Sequence, residues 1–365
     1  MVTNGQRTFY AGENPCSKGW FVDKFWITRR GALAVTAASL GFGCSARPET
    51  PIEPLQSATW RAGPSLPYAA QEIYPAAHQG RIHLAGGFIA KAGEISGATD
   101  RHIALDPSLD LWSEATPLPR PRHHPNLISF SGNLLALGGF EVQSEQAIWV
   151  MQAGTWMYDG EAWRDGPALP YPNGESVSGV LGSQLHVCGG RHPTGAANAS
   201  WNDHADVADH FVLTGLEDTW IRAAPAPTAR NSAAAAVIGT HWHVVGGRTV
   251  ANGNTAAHEV YDAREDRWRS AAPMPQAQGG LAAAAINGQL FAFGGEYFDN
   301  GGGVYPDGWT YTPATDAWTA LPPMPHPRHG LGAVALDEDI YLIGGAKRVG
   351  GQETSDLVEI FRPPN

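Results

Sequence analysis

The chain has 365 residues, a formal net charge of −11, and 44 Gly and 28 Pro in a composition that is 43% apolar. Such an acidic surface repels phosphate backbones, which excludes nucleic acid as an expected partner. Gly and Pro at this level, with almost no helix-period patterning, exclude a helical bundle and predict short strands joined by turns, an all-β class.

Residues 1–46 read as an export signal. Thr28-Arg29-Arg30 precedes an uncharged run from Gly31 to Gly43, too short to span a bilayer and followed by small residues. The paired arginines resemble a twin-arginine leader, which implies export to the cell envelope or periplasm. Two processing outcomes stay open, lipidation at Cys44 or cleavage after Ala46; a lipid there would be the one expected membrane contact. The long stretch before the arginines would shorten to an ordinary basic region if translation began at Val22. Residues 47–57, with Pro48, Pro51 and Pro54 among polar residues, read as an extended tether.

From residue 58 to 365 the chain reads as one repeat domain. Gly-Gly pairs recur about every fifty residues, at Gly86, Gly138, Gly189, Gly246, Gly294 and Gly344, a spacing of propellers or arrays. A Trp stands 27 residues before the second Gly each time: Trp60, Trp112, Trp163, Trp220, Trp268 and Trp318. Six residues after it comes an apolar-Pro pair, from Leu66-Pro67 to Met324-Pro325. The blocks align without a gap, and all length variation lies between a Gly pair and the next Trp. Within the last block, Gly332–Leu336 and Ile340–Ile343 flank a tight turn and predict paired strands; a third is expected at Ser355–Phe361 and, in the fourth block, at His258–Asp262. The large Trp side chain suits burial between neighbouring units.

This pattern resembles the kelch repeat, which implies a six-bladed β-propeller of four-stranded blades, strands a to d running outward from a central channel. Before Leu66 there is a Trp strand, Thr59 to Gly63, without a blade of its own; after Gly345 there is no Trp strand. The first strand is therefore expected to complete the last blade and remove two open edges.

Propeller topology puts the d-to-a connections and the variable b-to-c loops on one face. The residues after each apolar-Pro pair reach the channel there: Gln71-Glu72, Arg122-His123-His124, Asn173-Gly174-Glu175, Arg230-Asn231-Ser232, Gln278-Gly279-Gly280 and Arg328-His329-Gly330. Arg122, Arg230 and Arg328 are expected to converge on an anionic or polyhydroxylated ligand, with Gln71, His124, Asn173, Asn231, Gln278 and His329 as further contacts. Glu72, Glu175 and His123 are the candidates for acid–base chemistry. Trp201 and Tyr297, on b-to-c loops, are candidates for stacking on a sugar.

The 30-residue connection of blade three carries Asn202, Asp206 and His210 at the spacing of the Glu, Asp and His iron ligands of kelch-type glucosinolate specifier proteins. Asn in place of Glu removes an anionic ligand, and no metal or cofactor is expected. His83, His186 and His243 occupy one strand-b position filled by Leu135, Phe291 and Tyr341 in the other blades, which marks packing. Cys188 is the last cysteine beyond the leader and reads as a buried thiol, so the copper-radical chemistry of galactose oxidase, with its Tyr–Cys crosslink, is excluded.

The chain is also similar to bacterial exported sialic acid mutarotases in size, blade number and leader. That resemblance implies sugar isomerase chemistry, but the Glu and Arg of that family's functional pair are replaced by Arg248 and Asn254, and the Glu that does follow a Gly pair, Glu296, has Gly302 six residues on. The expectation is an exported monomeric propeller binding a carbohydrate or sugar acid at the channel mouth, with a protein-interaction scaffold as the alternative.

Overall fold

The computed structural model describes residues 58–364; the expected leader at 1–46, Cys44 and the expected tether at 47–57 lie outside the described residues. Six four-stranded antiparallel sheets are present among them. Their innermost strands, Ala76–His78, Asn126–Phe130, Val177–Leu181, Ala234–Ile238, Ala282–Ile286 and Gly332–Leu336, each pack on the next, and the last packs on the first. The inner strands are rich in Ala and Ser because six of them crowd one axis. Each is joined to strand b by a tight turn, as at Asn287-Gly288, where φ of +52° and +75° gives the primed hairpin geometry that matches strand twist.

The Gly pairs dock each blade on its neighbour. The N–H of Gly87, Gly139, Gly190, Gly247, Gly295 and Gly345 donates to the carbonyl of Arg122, Asn173, Arg230, Gln278, Arg328 and Ala70 respectively, at 2.8 to 3.0 Å. A Cβ on Gly294 would lie 2.2 Å from the Arg328 carbonyl oxygen, at a φ of +67°. Only glycine meets both demands. The six Trp indoles act from the outside: Trp60, Trp112, Trp163, Trp220, Trp268 and Trp318 each donate to a carbonyl of the preceding blade, those of Pro322, Pro64, Thr116, Pro167, Ala224 and Ala272.

The first strand, Thr59–Ala62, pairs with Val358–Arg362, putting Trp60 opposite Phe361 at the outer edge of the sheet built from Gly332–Leu336 and Asp339–Ile343. Trp60 lies 5.6 Å from the Phe293 ring of blade five. Deleting residues 58–64 is expected to lower the melting temperature by about 10 °C or more, since it removes a strand and the Trp60 packing at once. Calorimetry on the deletion and on Trp60→Ala, the milder change, checks it.

The strand-b histidines are packing residues with partners that sequence reading did not find. His83, His186 and His243 bond His102, His210 and His258 on strand c, each at 2.9 Å. The strand-c rings reach the carbonyls of Thr116, Ala224 and Ala272, which also accept from the next blade's Trp. His210 is thereby committed to the core, while Asp206 accepts from Asn231 and from the Val250 N–H, so Asn202, Asp206 and His210 do not converge. Cys188 is buried, and burial pushes its thiol up to about 12.

Candidate functional site

The residues following each apolar-Pro pair divide into three layers with different work. In the first, Arg122, Asn173, Arg230, Gln278 and Arg328 turn back into their own blades. Arg328 donates to the carbonyls of Gly344 and Leu357 and, at 2.8 Å, to the Glu359 carboxylate. Arg230 bonds Glu259 and the Val244 carbonyl; Arg122 bonds Glu141 and the carbonyls of Gly138 and Gly154. The amides of Asn173 and Gln278 reach Gly189 and Gly294 in the same way. All five are at most 5% exposed. The expected convergence of three arginines on an anion is therefore corrected: this layer clamps the end of strand b, because its side chains sit where strand-b carbonyls lose their ladder partners.

The second layer, Gln71, His123, Asn231 and His329 among them, pairs by backbone with the residue after each Gly pair: Phe88, Phe140, Arg191, Arg248, Glu296 and Ala346. Gln71 and Asn231 are buried; Asn231 spans Asp206 and Ser232. His123 is stacked between Phe88 and Phe140, with centroids 4.0 and 5.1 Å away, and Trp149 stands edge-on to it.

The third layer forms a collar. Glu72, His124, Glu175, Ser232, Gly280 and Gly330 all have left-handed φ, from +48° to +70°. Four backbone bonds run round it from blade to blade: His124 N–H to Glu72, Glu72 to Gly330, Gly330 to Gly280, and Gly280 to Ser232. The geometry suits glycine, and two blades use it. Glu72, His124 and Glu175 hold ionisable side chains at the same strained backbone position.

Their side chains meet those of the residues after the Gly pairs in one belt. His124 Nε2 is 2.9 Å from Glu72 Oε2 and 4.0 Å from Glu175 Oε1. Glu175 accepts from Ser232 and faces Arg191 Nη1 at 3.9 Å. On the other side, Glu72 Oε1 lies 3.8 Å from His329 Nδ1, His329 Nε2 lies 3.5 Å from Glu296, and Glu296 bonds Arg248 at 2.8 Å. Burial opposes ionisation of Glu72, but the charge and hydrogen bond of His124, with Arg248 behind, outweigh it and hold the carboxyl at about 2. Burial, with Glu72 and Glu175 nearby, pushes the Tyr74 phenol well above its usual range. A cavity of about 430 Å³ begins beside the collar at Ile73, Tyr74, Ser176 and Val177 and runs along the inner strands. That volume is in the range of small-molecule sites.

Of the candidates for chemistry, Glu72 and Glu175 are thus brought together, and His124 rather than His123 stands between them. Burial and His124 keep the His123 ring neutral, far below the usual histidine range, and it serves to position its neighbour. Trp201 lies under the Arg191 guanidinium at 3.7 Å, and Tyr297 pairs with Tyr305; both support the belt's surroundings. Arg191, Arg248 and Glu296 were missed as site residues. The signal was present, since each directly follows a Gly pair, but only the bend at the glycines turns those side chains inward.

The Kelch motif family matches residues 279–325. The chain is 26% identical over 261 residues to the Kelch-like protein terF of Aspergillus terreus, covering 68% of this chain and 54% of that one. It is 27% identical over 150 residues to Kelch repeat and BTB domain-containing protein 12 of Danio rerio, covering 37% and 24%. The chain thus spans about half or less of the length of these curated relatives. Among solved structures, that of YjhT superposes with a TM-score of 0.67 at 17% identity, over 81% of this chain and 95% of that one, a likeness of fold. Gly-Gly and Trp framework, four-stranded sheets and these likenesses agree: the chain is a kelch-repeat β-propeller.

Proposed function

We propose that this propeller binds a small polyhydroxylated ligand at the collar and that Glu72, with His124 behind it, performs acid–base work there of the kind that interconverts sugar anomers. The observation that carries the reading is the collar itself, where three blades keep Glu72, His124 and Glu175 at a backbone position that costs about 1 kcal/mol or more for a non-glycine residue. In such a reaction a base takes the anomeric hydroxyl proton, an acid protonates the ring oxygen as the ring C–O bond breaks, and closure on the other face returns both protons. Export through the residue 1–46 leader and residence in the cell envelope fit this reading and remain part of the proposal.

Titration calorimetry with a panel of hexoses, and anomeric exchange of the same sugars followed by NMR, test it. Glu72→Gln is expected to slow exchange about a hundredfold or more while the protein stays folded. No binding across the panel and no acceleration of exchange by the wild-type protein would remove the reading.

A second reading is favoured by four exposed apolar side chains on b-to-c loops, Ile95, Val142, Val250 and Phe298, and by the kelch relatives. On it the loop face grips another protein. Loop substitutions at Val250 and Phe298 would then abolish partner capture and leave collar variants without effect.

A further inference from the structure

The protons of the belt can be placed one by one. His123 Nε2 lies 2.7 Å from the Ile148 carbonyl, which only accepts, so that nitrogen carries a hydrogen and Nδ1 of the neutral ring is bare. The bare Nδ1 is 2.7 Å from His124 Nδ1, which must donate. His124 Nε2 then faces a carboxylate oxygen of Glu72 at 2.9 Å, and two lone pairs cannot meet at that distance. One proton lies between them, so that His124 and Glu72 together form an imidazolium–carboxylate pair. At the other end His329 Nε2 is 2.9 Å from the carbonyls of Arg348 and Gly350 and donates to them. Its buried Nδ1 has no acceptor within hydrogen-bond distance, with Glu72 Oε1 3.8 Å away, so a second hydrogen there would go unsatisfied and the ring is taken as the neutral Nε2–H form.

With His329 neutral, the three carboxylates Glu72, Glu175 and Glu296 are offset by Arg191, Arg248 and the His124 imidazolium. Asp206, which acts on Arg191 from the blade-three loop, adds negative charge, and the other titratable group at the collar, Tyr74, is neutral. No positive field is left over for an anion. What the belt does leave is a mixed set of buried polar atoms without a hydrogen-bond partner among the described residues: the acceptors Glu175 Oε2 and His329 Nδ1, and the donors Arg191 Nε and Nη1 and Arg248 Nε. Each of these side chains except that of Arg248, at 16%, is under a tenth exposed.

We propose that the collar selects neutral polyhydroxylated ligands over their carboxylate-bearing counterparts. A hydroxyl both donates and accepts, so a polyol can satisfy Glu175 and His329 with its hydrogens and the two guanidiniums with its lone pairs. A carboxylate offers only acceptors and brings a charge that Glu72, Glu175 and Glu296 repel. The inference rests on the ligand reading above and refines its substrate class away from sugar acids.

The test pairs each hexose with its uronate, D-galactose with D-galacturonate and D-glucose with D-glucuronate, by titration calorimetry on the full-length protein at neutral pH. The neutral member of a pair is expected to bind tighter by about tenfold or more. A uronate that binds as tightly or more tightly overturns the selectivity and leaves the ligand reading standing; a protein that takes neither overturns both. Nitrogen-15 NMR of the histidines gives a readout free of ligand: His329 is expected as the neutral Nε2–H tautomer and His124 as carrying or sharing a second proton. A doubly protonated His329 at pH 7 would restore positive charge to the belt and overturn the proposal. Glu175→Gln removes one negative charge and is expected to narrow the neutral-over-uronate preference; a preference that widens counts against it.

Discussion

Replacing Arg328 by Met is expected to destabilise the protein by about 3–5 kcal/mol, the cost of leaving one member of a buried ion pair without its partner. The guanidinium is fully buried and makes bonds to the carbonyls of His326, Gly344 and Leu357 and to Glu359, which is itself 5% exposed and has a second contact with His326 Nδ1 at 2.8 Å. Removing it takes a donor from three carbonyls and leaves Glu359 with only the half-exposed His326, at the point where blade six meets the chain arriving from blade five. Lys is not expected to rescue, because a single ammonium lacks the planar fork that reaches Gly344, Leu357 and Glu359 together. Removing the charge from both partners, Arg328→Met with Glu359→Leu, should recover much of the loss, since the buried carboxylate that has lost its guanidinium is then gone. Urea unfolding of the three variants decides it. A loss under about 1 kcal/mol for Arg328→Met would mean that the clamp contributes little, and the arginine would again be open to a ligand role.

Acid is expected to unfold the protein well before its carboxylates titrate. Burial holds His83, His186 and His243 at about 3, and His102, His210 and His258 at about 4, below the ordinary histidine value. The folded state keeps these six rings neutral while the unfolded chain takes up protons near pH 6.5, so their contribution is complete above about pH 6.5 and is lost as pH falls towards 4. Each pH unit of lag costs about 1.4 kcal/mol per ring at most, and several rings act together over the same window. Calorimetry from pH 7 to pH 4 should show a steep fall in melting temperature. Replacing one pair by the residues blade two carries there, His83→Leu with His102→Thr, should flatten that slope. An unchanged slope would show that the pairs do not drive the acid response.

The repeat was legible because its demands are local. A Gly pair whose N–H must touch the neighbouring blade, and a Trp that must reach a carbonyl one blade back, each need one residue type at one spacing, and those types recur six times. Strand limits followed from the same repetition: His258–Asp262 is as expected, and Val358–Arg362 starts later than the expected Ser355 because residues 346–355 are drawn into the loop over His329 and the blade-one hairpin. Which layer of side chains does which work was not legible. Arg122, Arg230 and Arg328 look like ligand residues in sequence because Arg is the commonest fork for anions, yet burial in their own blades turns the same fork onto carbonyls.

The sequence by itself determined the fold, since repetition of glycine, Trp and apolar-Pro positions leaves one architecture that satisfies every block. It also determined that Glu72, His124 and Glu175 would share a level. Tertiary structure alone decided that the level is a collar of left-handed backbone, that Arg191, Arg248 and Glu296 arrive from the strand ends opposite, and that acidic and basic side chains from all six blades meet in one belt. Those facts depend on contacts between residues up to about 260 positions apart, from Glu72 to His329, which no local spacing encodes.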